Sequence, residues 1–241
     1  MKYAILSDIH ANLEALTVVL DKCAELKAEK YICLGDVVGY NASPAECMDN
    51  VNALDIVGFV KGNHDEYASN HDEEMLGFNQ HAKAAVLWTK AQLCQEKLDF
   101  LSNLPYKLVV RGAGITIVHA TLDSPESWGY IFDIHQARDN FNYQFTPLCF
   151  CGHSHVPIAF TKKAFAGGVI PVEEILEWKG NPNHEKDKDP VIKVEKGWKY
   201  LINIGSVGQP RNRDPRASFA VYDVEAATIT RYRLPYDIAS A

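Results

Sequence analysis

Short apolar runs, each ending on a polar cluster, punctuate the chain: Tyr3 to Leu6, Tyr31 to Leu34, Ile56 to Val60, Ile115 to Val118 and Leu148 to Cys151. Runs of this length, rich in β-branched and aromatic residues, predict buried strands. Between the first two, Leu13, Leu16, Leu20, Cys23 and Leu26 recur at helical spacing and predict an amphipathic helix over about 11–28. Ser43-Pro44-Ala45-Glu46 predicts the start of another helix, with Ser43 as N-cap, proline at the first helical position and Glu46 as the acidic partner of a capping box. Cys47, Val51 and Leu54 continue its apolar stripe. A β-α-β-α-β order implies right-handed crossovers and a mostly parallel sheet with helices on its faces.

After the third strand the period changes. Ala84, Leu87, Trp88, Ala91 and Cys94 predict the buried side of a helix over about 79–95, with a shorter helix over 96–103; together they suggest a helical cap inserted at about 71–103. The second half is strand-rich: Tyr106 to Val110, Lys199 to Ile204, Ser218 to Val224 and Thr228 to Leu234, the last two joined as a hairpin through Glu225-Ala226-Ala227. Between 161 and 197 the pattern weakens. Gly180 to Pro190 mixes Gly, Pro, Asn and alternating charge, so the whole stretch is expected as an exposed loop. With no internal repeat and no linker, a single domain over 1–241 is expected.

Composition narrows the function classes. The 241 residues are 47% hydrophobic, ordinary for a chain with a sizeable core. No apolar run approaches the roughly 20 residues that span a bilayer, and Met1 to Leu6 is too short for a signal peptide, so the expected compartment is the cytoplasm. The cysteines at 23, 33, 47, 94, 149 and 151 are scattered through apolar patterns, which suits reduced packing residues. Cys149 and Cys151 lack the second cysteine pair that a zinc site needs. A formal charge of −7 argues against a broad nucleic-acid surface.

The polar clusters at the strand ends carry the chemistry: Asp8-Ile9-His10, Gly35-Asp36, Gly62-Asn63-His64-Asp65, His119 and Gly152-His153-Ser154-His155. Open α/β folds gather ligand-binding residues at strand ends. Asp8 and His10 lie two apart, so in an extended segment their side chains would face one way and chelate one ion; His153 and His155 repeat the spacing. Asp36, on a glycine-flanked turn, is the natural carboxylate to bridge two metals, which in hydrolytic phosphoryl sites lie about 3.5–4 Å apart. Asn63 offers an amide oxygen and His119 an imidazole. Oxygen and imidazole donors without thiolate fit two divalent ions of the Mn, Fe, Zn, Co or Ni kind. A buried Asp or His without a partner costs several kcal/mol, so five such clusters have no cheap structural explanation.

These motifs, in this order and spacing, resemble the five-part signature of the calcineurin-like metallophosphoesterases. The similarity extends through Gly35-Asp36-Val37-Val38-Gly39-Tyr40, the helix with Ala85 to Thr89, and Asn203 to Arg211, and resembles a small prokaryotic branch related to dinucleoside tetraphosphatases and serine/threonine phosphatases. The resemblance implies a four-layer α/β/β/α sandwich of two mixed sheets flanked by helices. It also implies one metal held by Asp8, His10, Asp36 and His155, another by Asp36, Asn63, His119 and His153, attack by a metal-bridging hydroxide, and His64 as general acid. One departure stands out: the protein-phosphatase branch continues the Gly-Asp motif with a further Asp and an Arg, whereas Gly39 and Tyr40 stand here. A partner for His64 must then come from elsewhere, and Asp65 could be that partner or a surface turn residue.

Arg211, Arg213 and Arg216 follow a glycine-containing loop and could present guanidinium forks to substrate phosphates, or else pair with Asp214. Tyr40, Asn41, Phe78 and Trp88 could line a pocket for a base. The expected function is a metal-dependent phosphoesterase acting on a small phosphorylated substrate, with nucleotides, dinucleoside polyphosphates and phosphoserine or phosphothreonine as candidates. A nuclease is disfavoured by the acidic balance. A non-catalytic scaffold of the same fold is disfavoured by His64 and the complete ligand set.

Overall fold

The computed structural model describes residues 1–70, 75, 78–164, 170–179 and 189–241. In chain order the first half contains β1 (Lys2–Leu6), α1 (Leu13–Glu25), β2 (Lys30–Cys33), α2 (Pro44–Asn52), β3 (Ile56–Phe59), α3 (Asn63–Ser69), α4 (Gln80–Gln92), α5 (Gln95–Asn103), β4 (Lys107–Val110) and β5 (Ile115–Val118). The second half adds α6 (Ile134–Phe141), β6 (Leu148–Cys151), β7 (Ile158–Lys163), β8 (Glu173–Glu174), β9 (Val191–Lys193), β10 (Trp198–Asn203), β11 (Ala217–Asp223) and β12 (Thr228–Leu234). Among the described residues these strands form two six-stranded mixed sheets, ordered β3-β2-β1-β11-β12-β9 and β4-β5-β6-β10-β7-β8. Strands β1, β2 and β3 pair in parallel, while β11 joins β1 antiparallel and continues through the hairpin into β12.

Alternation along the strands builds the layers. In β1, Ala4 and Leu6 point toward the helices and pack with Leu16 and Val19 of α1, whereas Tyr3 and Ile5 point into the space between the sheets. In β6, Leu148 and Phe150 meet them there with Ile117 and Ile202, while Cys149 and Cys151 face Ala137 and Phe141 of α6. Three apolar cores therefore separate four layers, an α/β/β/α sandwich. Cys149 and Cys151 are packing residues with their thiols pushed up, chiefly by burial.

Three expectations are corrected. The stretch 161–197 is not simply an exposed loop: its described part includes the second half of β7, then β8 and β9, with Val172, Trp178 and Ile192 buried. Trp178 closes one edge of the inter-sheet core and donates its indole N–H to the carbonyl of Asn203 at 2.8 Å. Strands of two and three residues are too short to leave an alternation in the sequence. Residues 180–188, where the loop was expected to be most exposed, lie outside the described residues. Second, α4 turns another face inward: Ala82, Val86, Thr89 and then Leu93 are buried, whereas Ala84, Leu87, Trp88, Ala91 and Cys94 are exposed. Third, α2 starts at Pro44 after Ser43, but the Ser43 side chain makes no capping hydrogen bond.

Candidate metal centre

The loops after β1, β2, β5 and β6, with the first turn of α3 after β3, converge at one end of the sandwich. Asp8, His10, Asp36, Asn63, His64, His119, His153 and His155 are all buried there. The backbone explains how. Asp8, His10, Asp36, His153 and His155 have φ between +50° and +66°, the left-handed region that costs a non-glycine residue about 1–2 kcal/mol. The expected extended geometry for the Asp-x-His and His-x-His pairs is thus replaced by tight left-handed turns, which fold two side chains into one small volume. Such strain persists only where surrounding contacts over-determine it, and it clusters at functional sites. Here the contacts are dense: Asp8 N–H donates to the carbonyl of Gly35, His10 N–H to that of Asp36, and Gly208 N–H to that of Asp8, all at 2.9–3.1 Å.

Asp65 supplies another contact, and its role is neither of those expected. Its carboxylate is buried and accepts N–H bonds from Asp36 (2.7 Å), Val37 (3.0 Å) and Val38 (3.4 Å) on the loop after β2, and from Gly62 (3.1 Å) at the start of its own helix. It fastens two ligand-bearing loops together and makes no hydrogen bond to His64. Gly62 must be glycine, because a Cβ there would lie 2.1 Å from Asp36 Oδ1.

Four imidazoles are aimed by backbone carbonyls. His10 Nδ1 lies 3.1 Å from the oxygen of Val38, His119 Nδ1 2.7 Å from that of Leu34, His155 Nδ1 2.6 Å from that of Gln209, and His153 Nε2 2.9 Å from that of Trp128. A carbonyl can only accept, so we assign each of these nitrogens the proton, leaving the other ring nitrogen with a free lone pair. This is the tautomer-fixing arrangement that metal-binding histidines use. Those lone pairs converge: Nε2 of His10 and Nε2 of His155 are 3.1 Å apart. Two unprotonated nitrogens at that distance repel unless a cation lies between them. Oδ1 of Asn63 is buried with no hydrogen-bond partner, and Nε2 of His119, buried as well, lies 3.3 Å from Asp36 Oδ2.

The donors fall into two groups that share one residue. Asp8, His10, Asp36 and His155 offer ligand atoms all within 4.8 Å of one another, and so do Asp36, His119 and His153, with the orphaned Asn63 oxygen lining the same cleft. Asp36 belongs to both. Carboxylate, amide and imidazole donors in this geometry fit the divalent ions expected from the residue types. Protonation favours ligation at three of the four rings. Burial holds His10 and His155 well below the usual histidine value and His153 at about 3, so these rings stay neutral. Burial resists a charge on Asp36 too, yet the neighbouring imidazoles, His119 first, keep its carboxyl well below the usual range. Burial works against a proton on His119, but the Asp36 carboxylate beside it raises that ring to about 9.

His64 stands beside the donors. Its ring packs against Tyr40 at 4.5 Å and against Phe78 and His10 at 4.8 Å, and its backbone N–H donates to Asp36 Oδ1 at 2.8 Å. Nδ1 is buried without a partner, directly over Gly39, where a Cβ would lie 2.4 Å from it. The missing Cβ of Gly39 is therefore what makes room for this ring. Burial lowers His64 to about 4, with the Asp36 carboxylate pulling the other way.

Of the arginines, Arg211 alone lines the cleft; its guanidinium sits 5.8 Å from the centre of the Tyr40 ring and donates to Gln209 Oε1 at 2.7 Å. Arg216 pairs with Asp214 at 2.7 Å, and Arg213 is exposed and does not line the cleft. Tyr40 and Phe78 line the cleft as expected, whereas Trp88 and Asn41 border a separate shallow depression with Tyr40. The sequence reading missed Tyr130, which lines the cleft, and Trp128, whose carbonyl aims His153. The three aromatics at alternate positions, Trp128, Tyr130 and Phe132, were the available signal.

Two packed mixed sheets with carboxylate, amide and imidazole donors at the strand ends define a metallophosphoesterase architecture. The chain belongs to the calcineurin-like phosphoesterase superfamily, whose domain pattern matches residues 1–227. It is 37% identical over 240 residues to an uncharacterized protein of Methanocaldococcus jannaschii, a match covering 99% of this chain and 89% of that one. A metallophosphoesterase of Sphaerobacter thermophilus superposes with a TM-score of 0.79 at 35% identity, over 100% of this chain and 90% of the other. A hypothetical protein of Pyrococcus horikoshii shares the fold, with a TM-score of 0.73 at 21% identity over 99% and 90% of the two chains. Among the described residues, no helix is long and apolar enough to cross a membrane.

Proposed function

We propose that this protein is a phosphoesterase that works with two divalent transition-metal ions, one held by Asp8, His10, Asp36 and His155 and the other by Asp36, Asn63, His119 and His153. The observation that carries the reading is the set of four histidines whose outer nitrogens face backbone carbonyls and whose inner nitrogens converge around Asp36. When bound, such ions neutralise phosphate oxygens and acidify a water so that it can attack phosphorus. The chain's own residues do the rest. Asp65 holds the loops of Asp36 and Asn63 in register. Arg211, kept at the rim by Gln209 and Tyr40, offers its remaining N–H groups to a phosphate oxygen. His64 is placed to pass a proton to the departing oxygen, an acid-base role served by its position in the cleft wall next to the donors and by the Asp36 carboxylate, which favours its charged form against burial.

The substrate is a small phosphate ester or anhydride. Its test uses metal-stripped protein reloaded with Mn and offered p-nitrophenyl phosphate, bis-p-nitrophenyl phosphate and diadenosine tetraphosphate, with His64→Ala alongside. The expected result is metal-dependent turnover that His64→Ala lowers by about 100-fold to 10,000-fold while metal content is unchanged. Equal turnover in both proteins would remove His64 from the mechanism, and no turnover of any of the three compounds would count against a hydrolase.

A further inference from the structure

The cleft over the metal centre holds about 180 Å³, less than the roughly 300–1,000 Å³ of pockets that enclose a small-molecule ligand. A phosphate group fits inside it, so most of what is esterified to that phosphate must lie on the rim. One side of the rim is polar, with Arg211 and the hydroxyl of Tyr40. The other side is a line of rings. Tyr130 stacks on His153 with centroids 4.4 Å apart and planes 25° apart, and Phe132 stacks on Tyr130 at 5.2 Å and 10°.

These two outer rings are 44% and 50% exposed, and neither belongs to an apolar core. They are also held in place. Ile131 between them is buried in the α6 core, Phe132 N–H donates to Gln136 Oε1 at 2.7 Å, and Asp133 caps α6 through the N–H groups of His135 and Gln136. A segment that anchors its middle residue inward and turns two parallel aromatic rings outward, next to a phosphate-sized cleft, is built to receive a flat partner. The outer ring stands two stacking intervals from His153. That is farther than the ring of a phenyl ester reaches from its phosphorus, and within reach of a base carried on ribose.

We infer that Tyr130 and Phe132 form a stacking platform for the nucleobase of a nucleoside phosphate, and so set the specificity of the site. The inference rests on the phosphoesterase reading for the placement of the phosphate. Stacking of a base on an aromatic side chain contributes about 1–3 kcal/mol, or roughly 5-fold to 150-fold in affinity. AMP and ribose 5-phosphate share phosphate and sugar and differ in the base, which makes them the informative pair. With Mn-loaded protein, AMP should have the lower KM. Phe132→Ala should raise the KM for AMP about tenfold with kcat nearly constant, leave ribose 5-phosphate unaffected, and be rescued by Phe132→Trp. A calorimetric titration of Mn-loaded His64→Ala, with and without Phe132→Ala, reads the same base-dependent difference in affinity without turnover. Equal affinities for the two compounds, or an equal loss of both in Phe132→Ala, would overturn the platform. Base-dependent binding without hydrolysis of any phosphate ester would support the platform and sink the phosphoesterase reading.

Discussion

Asp36 meets both ligand groups at once, accepts the backbone N–H of His64, and has its own N–H held by Asp65. Asp36→Asn keeps an acceptor for His64 and removes the charge, so both ions should be lost together in a metal assay after dialysis; loss of one alone would show that Asp36 does not bridge. Gly39 has φ +89° as well as no space for a Cβ. Gly39→Ala should displace the His64 ring and lower turnover at least tenfold, in line with the loss of a positioned acid-base group, while metal content stays at the wild-type level. Unchanged turnover would mean that catalysis does not depend on where Gly39 lets that ring lie. The donors themselves were legible, since clustered Asp, Asn and His at the ends of apolar runs have few other uses. Their left-handed backbone was not, because Asp-x-His spacing reads the same whether the segment is extended or tightly turned. Asp65 was misjudged because it adjoins His64 in sequence, although Gly-x-x-Asp at a helix start is itself the pattern of an acid reaching back to its own N-terminus.

At the scale of elements, α4 shows where periodicity stops informing. Ala84, Leu87, Trp88, Ala91 and Cys94 form a helical stripe, and Ala82, Val86, Thr89 and Leu93 form another on a different face. The larger side chains lie on the first, yet the second is buried because α2 and α3 pack on that side. Val86→Ala should therefore cost roughly 1–3 kcal/mol through lost burial and a cavity. Trp88→Ser should change stability by no more than about 0.5 kcal/mol, as surface substitutions do. Urea unfolding of the two variants checks this, and the reverse order would return the buried stripe to Leu87 and Trp88. The strands β7 to β9 went unread for a related reason: their identity comes from partners, β10 for β7 and β12 for β9, and hardly at all from their own few residues.

Across the whole molecule, three cores and four layers followed from alternation that any single strand shows only faintly, so the architecture emerged from the family resemblance more than from the pattern itself. The same burial that shapes the layers makes stability depend on pH. In the folded, metal-stripped chain burial keeps His64 near 4, His153 near 3, and His10 and His155 well below the ordinary histidine value. Their unfolded counterparts take up protons below about pH 6.5. The unfolded state then binds more protons, so this stability is complete above that pH and is lost as the pH falls toward 4. Asp8, raised by burial to about 6, Asp65, raised by burial to about 7, and His119, raised beside the Asp36 carboxylate to about 9, act in the opposite sense, but three groups oppose four imidazoles. The urea midpoint of chelator-treated protein should fall between pH 7 and pH 4.5; a flat profile would mean that these rings titrate normally. The pairing of β1 with β11 bears on how the molecule comes into being. Asp8 leaves the ribosome long before the two groups that hold its carbonyl, Gly208 N–H and the Ser206 hydroxyl. Synthesis must therefore pass Gly208 before the first ligand loop has its backbone partners, so metal loading waits for the segment that follows β10.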